Sequence, residues 1–327
     1  MTYSAGGLIQ ATDYNGFVSS NAGANINGIW GAGSSDSGYG QTALATVSAG
    51  ATVTAAQWAS LVNTISSMAS HQGTTITART APTAGNTITI LSNLNTDLTT
   101  LTTNRLNAAA NGAQFTGWTG TASKTTATGS GATAWTITFT HTITWASADA
   151  ARYFFNAGGR IKWETSKTST GTEADDEWND LANTLVGDIF ITAGTGTQSI
   201  AGGSYTGTTK SGGTGTPTTL LTTTGWYDLT TTDTIIYKQF ADTAPYTGSY
   251  IQIAAKTAGS GTQLVLTTTW VDPGGSDAGS TDAISGGTAT TGITFGTAPA
   301  TVVTYFPPST TYLANSWGTP TVAATTA

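Results

Sequence analysis

The residues of this chain that could do chemistry are few, and most are carboxylates. All three glutamates, Glu164, Glu173 and Glu177, fall within fourteen positions, with Asp175 and Asp176 among them. A glycosidase needs two carboxylates about 5–10 Å apart flanking a sugar bond, and this cluster is where such a pair would be sought. The competing reading is structural. In "TEADDEWNDLANTLVG" (172–187), Thr172 followed by Asp175 makes a capping box, the acids crowd the first turn where they oppose the helix dipole, and Gly187 ends the segment. Acids so placed are ordinarily solvated, and no pocket signature accompanies them. The expectation is a helix start with Trp178, Leu181 and Leu185 on its buried stripe, and no active site.

The remaining candidates fare no better. His141 lies between Phe139 and Ile143 on an apolar face, where a neutral core histidine is expected before a base or a ligand. His71 follows the first long helix and is expected to help cap its C-terminus. Two isolated histidines without a cysteine offer no metal-ligand spacing. Asp272, Asp277 and Asp282 are spaced by five, which fails the alternating pattern of a calcium loop, so "DPGGSDAGSTD" reads as an exposed linker. "GGSYTGTTKS" carries Thr209 where a phosphate loop needs its second glycine. Neither a Gly-x-Ser-x-Gly elbow nor a nucleotide fingerprint occurs. Catalytic, cofactor-binding and metal residues are therefore all expected to be none. Aromatic rings are the remaining resource: Trp118, Trp226 and Trp317 sit in Gly- or Thr-rich surroundings and could stack on sugars, although most tryptophans are largely buried.

The elements that would position these groups are legible from periodicity. Residues 1–50 are rich in Gly, Ser, Ala and Asn with scattered anchors (Tyr14, Phe17, Ile26, Ile29, Trp30), which reads as an extended N-terminal arm ordered by packing, or as a flexible tail. A helix is predicted over 54–70, with Thr54 and Gln57 as a capping box, Trp58, Leu61, Val62, Ile65 and Met68 as its stripe, and Gly73 as its stop. A second helix carries Leu91, Leu94, Leu98 and Leu101 at steps of three and four. These leucines form either one side of a helical hairpin within 51–112 or an intersubunit seam.

From 113 onward the period becomes two. In "AWTITFTHTITWA" (134–146), Trp135, Ile137, Phe139, His141, Ile143 and Trp145 share one parity, and five threonines share the other. "RYFFNAGGRIKW" (152–163) is predicted to be a β-hairpin, with Phe154 and Phe155 entering a turn at Asn156, Gly158 and Gly159. Further strand patterns are "DIFITAG", "TIIYKQF", "SYIQIAAKT", "TQLVLTTTWVD", "GITFG" and "TVVTYF". The fold class expected is mainly β with a small helical part. It comprises an arm and helix pair, then an antiparallel β-sandwich over 113–327 carrying one inserted helix, with a subdomain break near 200–220.

Composition narrows the function. Only 8% of the 327 residues are charged, against about 25% in an ordinary soluble domain. The net charge of −7 and ten scattered Lys and Arg argue against binding nucleic acid through phosphate neutralisation. Signal-peptide and membrane-helix patterns are lacking, so a composition suited to the extracellular world comes without a secretion address. Assembly in bacterial cytoplasm and release by lysis would reconcile the two.

At "NINGIWGAGSSDSGYGQT", "ISSMASHQGTTITARTAP" and above all "ADAARYFFNAGGRIKW", the chain resembles a family of tailed-phage virion structural proteins, frequent among cyanophages and other aquatic phages. The resemblance covers most of the chain and carries no catalytic residue. It implies a virion component, with a tail fibre or tail appendage in host attachment as the leading expectation. The alternatives are a capsid decoration or head-fibre protein, and a host-glycan depolymerase or carbohydrate-binding tailspike. The expected partners are other virion proteins, copies of the same chain with a trimer favoured, and a host-surface glycan; nucleic acid and membrane insertion are not expected.

Overall fold

A strand that alternates apolar and threonine residues must bury one face and offer the other to neighbours or water. In the computed structural model, which describes residues 10–20, 24–86, 93–114, 122–123, 126–127, 135–169, 173–273, 293–294 and 299–327, that is how 135–144 is used. Ile137, Phe139, His141 and Ile143 are fully buried, whereas Thr138, Thr140, Thr142 and Thr144 are half-buried and Thr136 is exposed.

The described helices are α1 (Ala11–Asn15), α2 (Ile26–Trp30), α3 (Ala55–Gln72), α4 (Leu94–Thr103), α5 (Ala148–Asn156) and α6 (Glu173–Asp180). The strands are β1 (Ala122–Ser123), β2 (Thr126–Ala127), β3 (Trp135–Thr144), β4 (Arg160–Ser166), β5 (Asp188–Ile191), β6 (Gln198–Ile200), β7 (Gly203–Tyr205), β8 (Thr208–Ser211), β9 (Thr219–Leu220), β10 (Thr234–Phe240), β11 (Tyr250–Ala258), β12 (Gln263–Asp272), β13 (Ile293–Thr294), β14 (Ala300–Phe306) and β15 (Thr321–Thr326). They form two main sheets, ordered β15-β3-β12-β11-β10-β9 and β1-β14-β4-β5-β8, and every pairing in them is antiparallel. The protein is thus mainly β with a small helical part.

The two sheets share one apolar core. Ile251, Ile253, Leu264, Leu266 and Trp270 come from the first, and Ile161, Trp163, Ile189, Ile191 and Val303 from the second. A hydrogen bond from the Trp163 indole N–H to the Thr268 hydroxyl, 2.9 Å long and buried, ties β4 to β12 across the layers. The inserted helix belongs to the same core. The Trp178 ring on α6 stacks on Trp270 at 5.4 Å, and α6 runs on into a π-helical turn, Leu181–Leu185, ended by Gly187 at φ 72°. The Tyr237 hydroxyl donates to the Val186 carbonyl just beyond that turn, at 3.2 Å.

The N-terminal half joins this core. Residues 11–20 and 26–30 are short helical turns, α1, a π-turn at Gly16–Ser20 and α2, where an extended arm was expected. Tyr14 and Phe17 meet the buried Trp58 ring edge-on, at 5.4 and 6.3 Å. Helix α3 has the predicted Thr54–Gln57 capping box and a left-handed Gly73 cap. Leu94, Leu98 and Leu101 of α4 are each 0% exposed and lie in the chain's own core cluster, so no intersubunit seam is available to them. Leu91 lies outside the described residues. Apolar burial within the chain has satisfied the stripe that would otherwise have needed a partner helix. Near 200–220, β8 pairs with β5 and β9 with β10, so both sheets reach into that region.

One further expectation is corrected. Phe154, Phe155 and Asn156 end helix α5 and are not the first arm of a hairpin; β4 starts only at Arg160. Ser147 caps the helix by accepting from the Ala150 N–H, and Ala148, Ala150 and Ala151 are strong helix formers. Phe154 and Phe155 both find burial here because the helix end is enclosed by Trp145, Trp226 and Tyr305. The glycines are needed for a helix-to-strand link. Gly158 sits at φ 86°, and a Cβ there would lie 2.5 Å from that of Ala108.

Candidate functional site

The broadest candidate surface is the outer face of the six-stranded sheet. Strand register sets residues side by side in rungs: Gln252, Thr269 and Thr138; then Ala254, Thr267, Thr140 and Thr325; then Lys256, Val265, Thr142 and Ala323; then Ala258, Gln263, Thr144 and Thr321. On β10 and β9 the first rung continues to Lys238 and Thr219, so Lys238 and Lys256 are the charged residues of these rungs; the Lys256 ammonium pairs with Asp233 at 2.9 Å. β-branched residues suit such a pleated surface, and cross-strand Thr pairs add a few tenths of a kcal/mol to about 1 kcal/mol each. The result is a stiff, sparsely charged plane, rich in hydroxyls on β3, β12 and β15 and carrying Lys238, Phe240 and Tyr250 toward β10.

The charges that could act elsewhere are engaged in structure. Of the ten Lys and Arg, Lys124 lies outside the described residues and each of the other nine has a partner. Arg79 pairs with buried Asp97, Arg105 with Asp36, and Lys162 with Glu164 and Asp188. The Arg152 guanidinium donates to the carbonyls of Ala32, Ser35 and Ser37, clamping the loop after α2 onto α5. Arg160 donates to Asn111 at 2.7 Å and is enclosed by the Phe306, Tyr205 and Phe190 rings; burial lowers its pKa. The Lys210 ammonium, in the segment tested for a phosphate loop, donates to the carbonyls of Gly212, Gly213 and Gly215. Lys167 donates to Thr168, Lys238 lies over the Tyr250 ring, and Lys256 holds Asp233.

The acids singled out from sequence separate. Glu164 is on β4 beside Lys162, and exposed Asp176 accepts from the Ser169 hydroxyl. The side chains of Glu173 and Asp175, and all of Thr172, lie outside the described residues. Glu177 is the exception. It is 7% exposed, and carboxylate oxygens of Asp180, one turn along, and of Asp242, after β10, lie within 4.8 Å of its own and of each other. Burial raises the Glu177 pKa, Thr243 hydrogen-bonds oppose the rise, and the charges of Asp180 and Asp242 add to it. Its Oε1 is buried with no hydrogen-bond partner among the described residues. Sequence reasoning reached Glu177 and missed the other two. Asp180 was findable at i+3 on the same helix, whereas no local signal links Asp242 to it.

The histidines are core residues. His141 is 0% exposed on the inner face of β3, opposite Leu266 and Ala324. His71 is 2% exposed, meets the Tyr39 ring edge-on at 5.2 Å, and burial lowers its pKa to about 4 against an opposing hydrogen bond to the Ala157 backbone. Its side chain therefore joins α3 to the end of α5, a correction to the expected helix cap. Trp226 and Trp317 are 6% and 2% exposed, so neither ring offers a sugar platform; Trp118 lies outside the described residues. Of the linker acids only Asp272 is described, buried at the end of β12. No described helix is long and apolar enough to cross a membrane. No family model, curated protein or solved structure matches the chain.

Proposed function

We propose that this chain is a non-enzymatic structural protein of a tailed-phage virion, a tail fibre or tail appendage serving assembly and host attachment. The observation that carries the reading is the threonine-laddered part of the outer face of the six-stranded sheet, on β3, β12 and β15, a sparsely charged plane suited to packing against another subunit or standing in water outside a cell. The structural use of the described cations supports it, as does the resemblance of the 148–163 segment to virion proteins. With Leu94, Leu98 and Leu101 buried inside the protomer, self-association into a trimer would use a sheet face or edge. The partners are other virion proteins and copies of the chain, with a host-surface glycan at the distal end, and neither a cofactor nor nucleic acid takes part. The place of action is the virion, assembled in the host cytoplasm and released by lysis.

Mass spectrometry of separately purified heads and tails tests this. Recovery with tails supports the appendage reading; recovery only with heads moves the protein to a capsid decoration or head fibre; absence from both overturns the virion reading. Incubation with host envelope polysaccharide tests the enzymatic alternative. New reducing ends that vanish in a Glu177→Gln variant would make the chain a depolymerase.

A further inference from the structure

We infer that Glu177, Asp180 and Asp242 form a calcium site that ties helix α6 to the connection between β10 and β11. Three carboxylates from two separate stretches of chain converge, with candidate ligand oxygens all within 4.8 Å of one another. Calcium binds oxygen at about 2.3–2.6 Å, so oxygens on opposite sides of its shell lie about 4.6–5.2 Å apart. Magnesium, at about 2.0–2.1 Å, demands near-ideal octahedral geometry and usually keeps several waters, so a set of converging protein carboxylates suits calcium better. The donor set is carboxylate alone, which suits hard cations and disfavours zinc or copper.

The second observation is the state of Glu177 itself. Its side chain is buried, at 7% exposure, and Oε1 has no hydrogen-bond partner among the described atoms. The Thr243 hydroxyl donates to the Asp242 carboxylate at 3.3 Å, which holds that acid at the cluster. The charges acting on Glu177 from Asp180 and Asp242 are both negative. A buried carboxylate oxygen without a donor, facing two further acids, is costly unless a proton or a cation compensates it. The exposed position of Asp242 and the half-buried one of Asp180 leave an entry path from solvent. Bound calcium would join the inserted helix, whose Trp178 stacks on Trp270, to the β10 end of the same sheet. None of this depends on the virion reading.

The test uses the full chain stripped with a chelator and dialysed into metal-free buffer. Calcium binding is followed by titration calorimetry, and terbium is used as a luminescent probe excited through tryptophan, with Trp178 adjacent in sequence to Glu177. The expected result is one saturable calcium per chain and sensitised terbium emission that calcium displaces. Asp180→Asn and Asp242→Asn should each weaken calcium about tenfold or more, because affinity follows ligand charge. Glu177→Gln should abolish binding. Should that buried substitution prevent folding, Asp242→Asn at its exposed loop position decides. Failure to saturate at millimolar calcium, wild-type affinity in both Asp variants, or equal affinity for magnesium would each overturn the assignment.

Discussion

Acid should weaken this protein through His71. Its ring is enclosed between Tyr39 and the end of α5, and burial lowers its pKa to about 4 from an ordinary 6.5. The folded state therefore resists taking up a proton that the unfolded chain accepts. Stability from this group is fully present above about pH 6.5 and is lost as pH falls toward and through about 4. A shift of about 2.5 units corresponds to roughly 3 kcal/mol at about 1.4 kcal/mol per unit. Most of that loss should be complete near pH 4.5. Glu177 and Asp188 act in the opposite sense. Burial raises both, so the folded state holds protons that the unfolded chain releases, and their contribution is lost as pH rises. A single stability curve would mix these effects, so the measurement is a difference. Urea unfolding, read by tryptophan fluorescence, is compared between the wild type and His71→Gln at steps from pH 7 to 4.5. The wild type should lead at pH 7, and the gap should close by about 2–3 kcal/mol on acidification. A gap that stays constant or widens would refute the reasoning, as would a His71 ring that titrates near pH 6.5 by proton NMR in the folded protein.

Three further outcomes are expected. Thr268→Val keeps shape but leaves the buried Trp163 indole N–H without its 2.9 Å acceptor, so urea unfolding should show a loss of about 1–3 kcal/mol that Thr268→Ser largely avoids. Leu98→Ala opens a cavity in a fully buried position and should cost about 2–5 kcal/mol, while the solution mass measured by light scattering stays that of the wild type. Gly158→Ala combines a left-handed backbone with a contact 2.5 Å from the Ala108 Cβ, and should cost at least about 1–2 kcal/mol in thermal or urea unfolding. Adding Ala108→Gly should restore only the steric part.

Much of the secondary structure was written locally, in the order of residue types. The period of two at 135–144 gave β3 and its buried face, and the same rule found β5, β10, β11, β12 and β14. The Thr54–Gln57 box and Gly73 bounded α3 because capping involves neighbours in sequence. Sequence reading passed over β1, β2, β6, β7, β8, β9 and β15, and of these β8, β9 and β15 in the two main sheets are short or rich in Thr and Ala. Their extended state is set by pairing to β5, β10 and β3, not by any apolar alternation of their own. At 152–163 the local signal was ambiguous. An aromatic run before two glycines suits a hairpin as well as a helix end, and enclosure by Trp145, Trp226 and Tyr305 selects the helix.

By itself, then, the sequence determined the periodicity of the elements, the scarcity of charge, and the division of β3 into a buried and a threonine face. These depend on residues one to four positions apart. Tertiary structure alone decided that the α4 leucines close onto the chain's own core, that the outer threonines align into rungs, and that Asp242 meets Glu177 and Asp180. The reason is physical: each outcome depends on which surfaces, distant along the chain, exclude water together, and burial area carries no record of sequence separation.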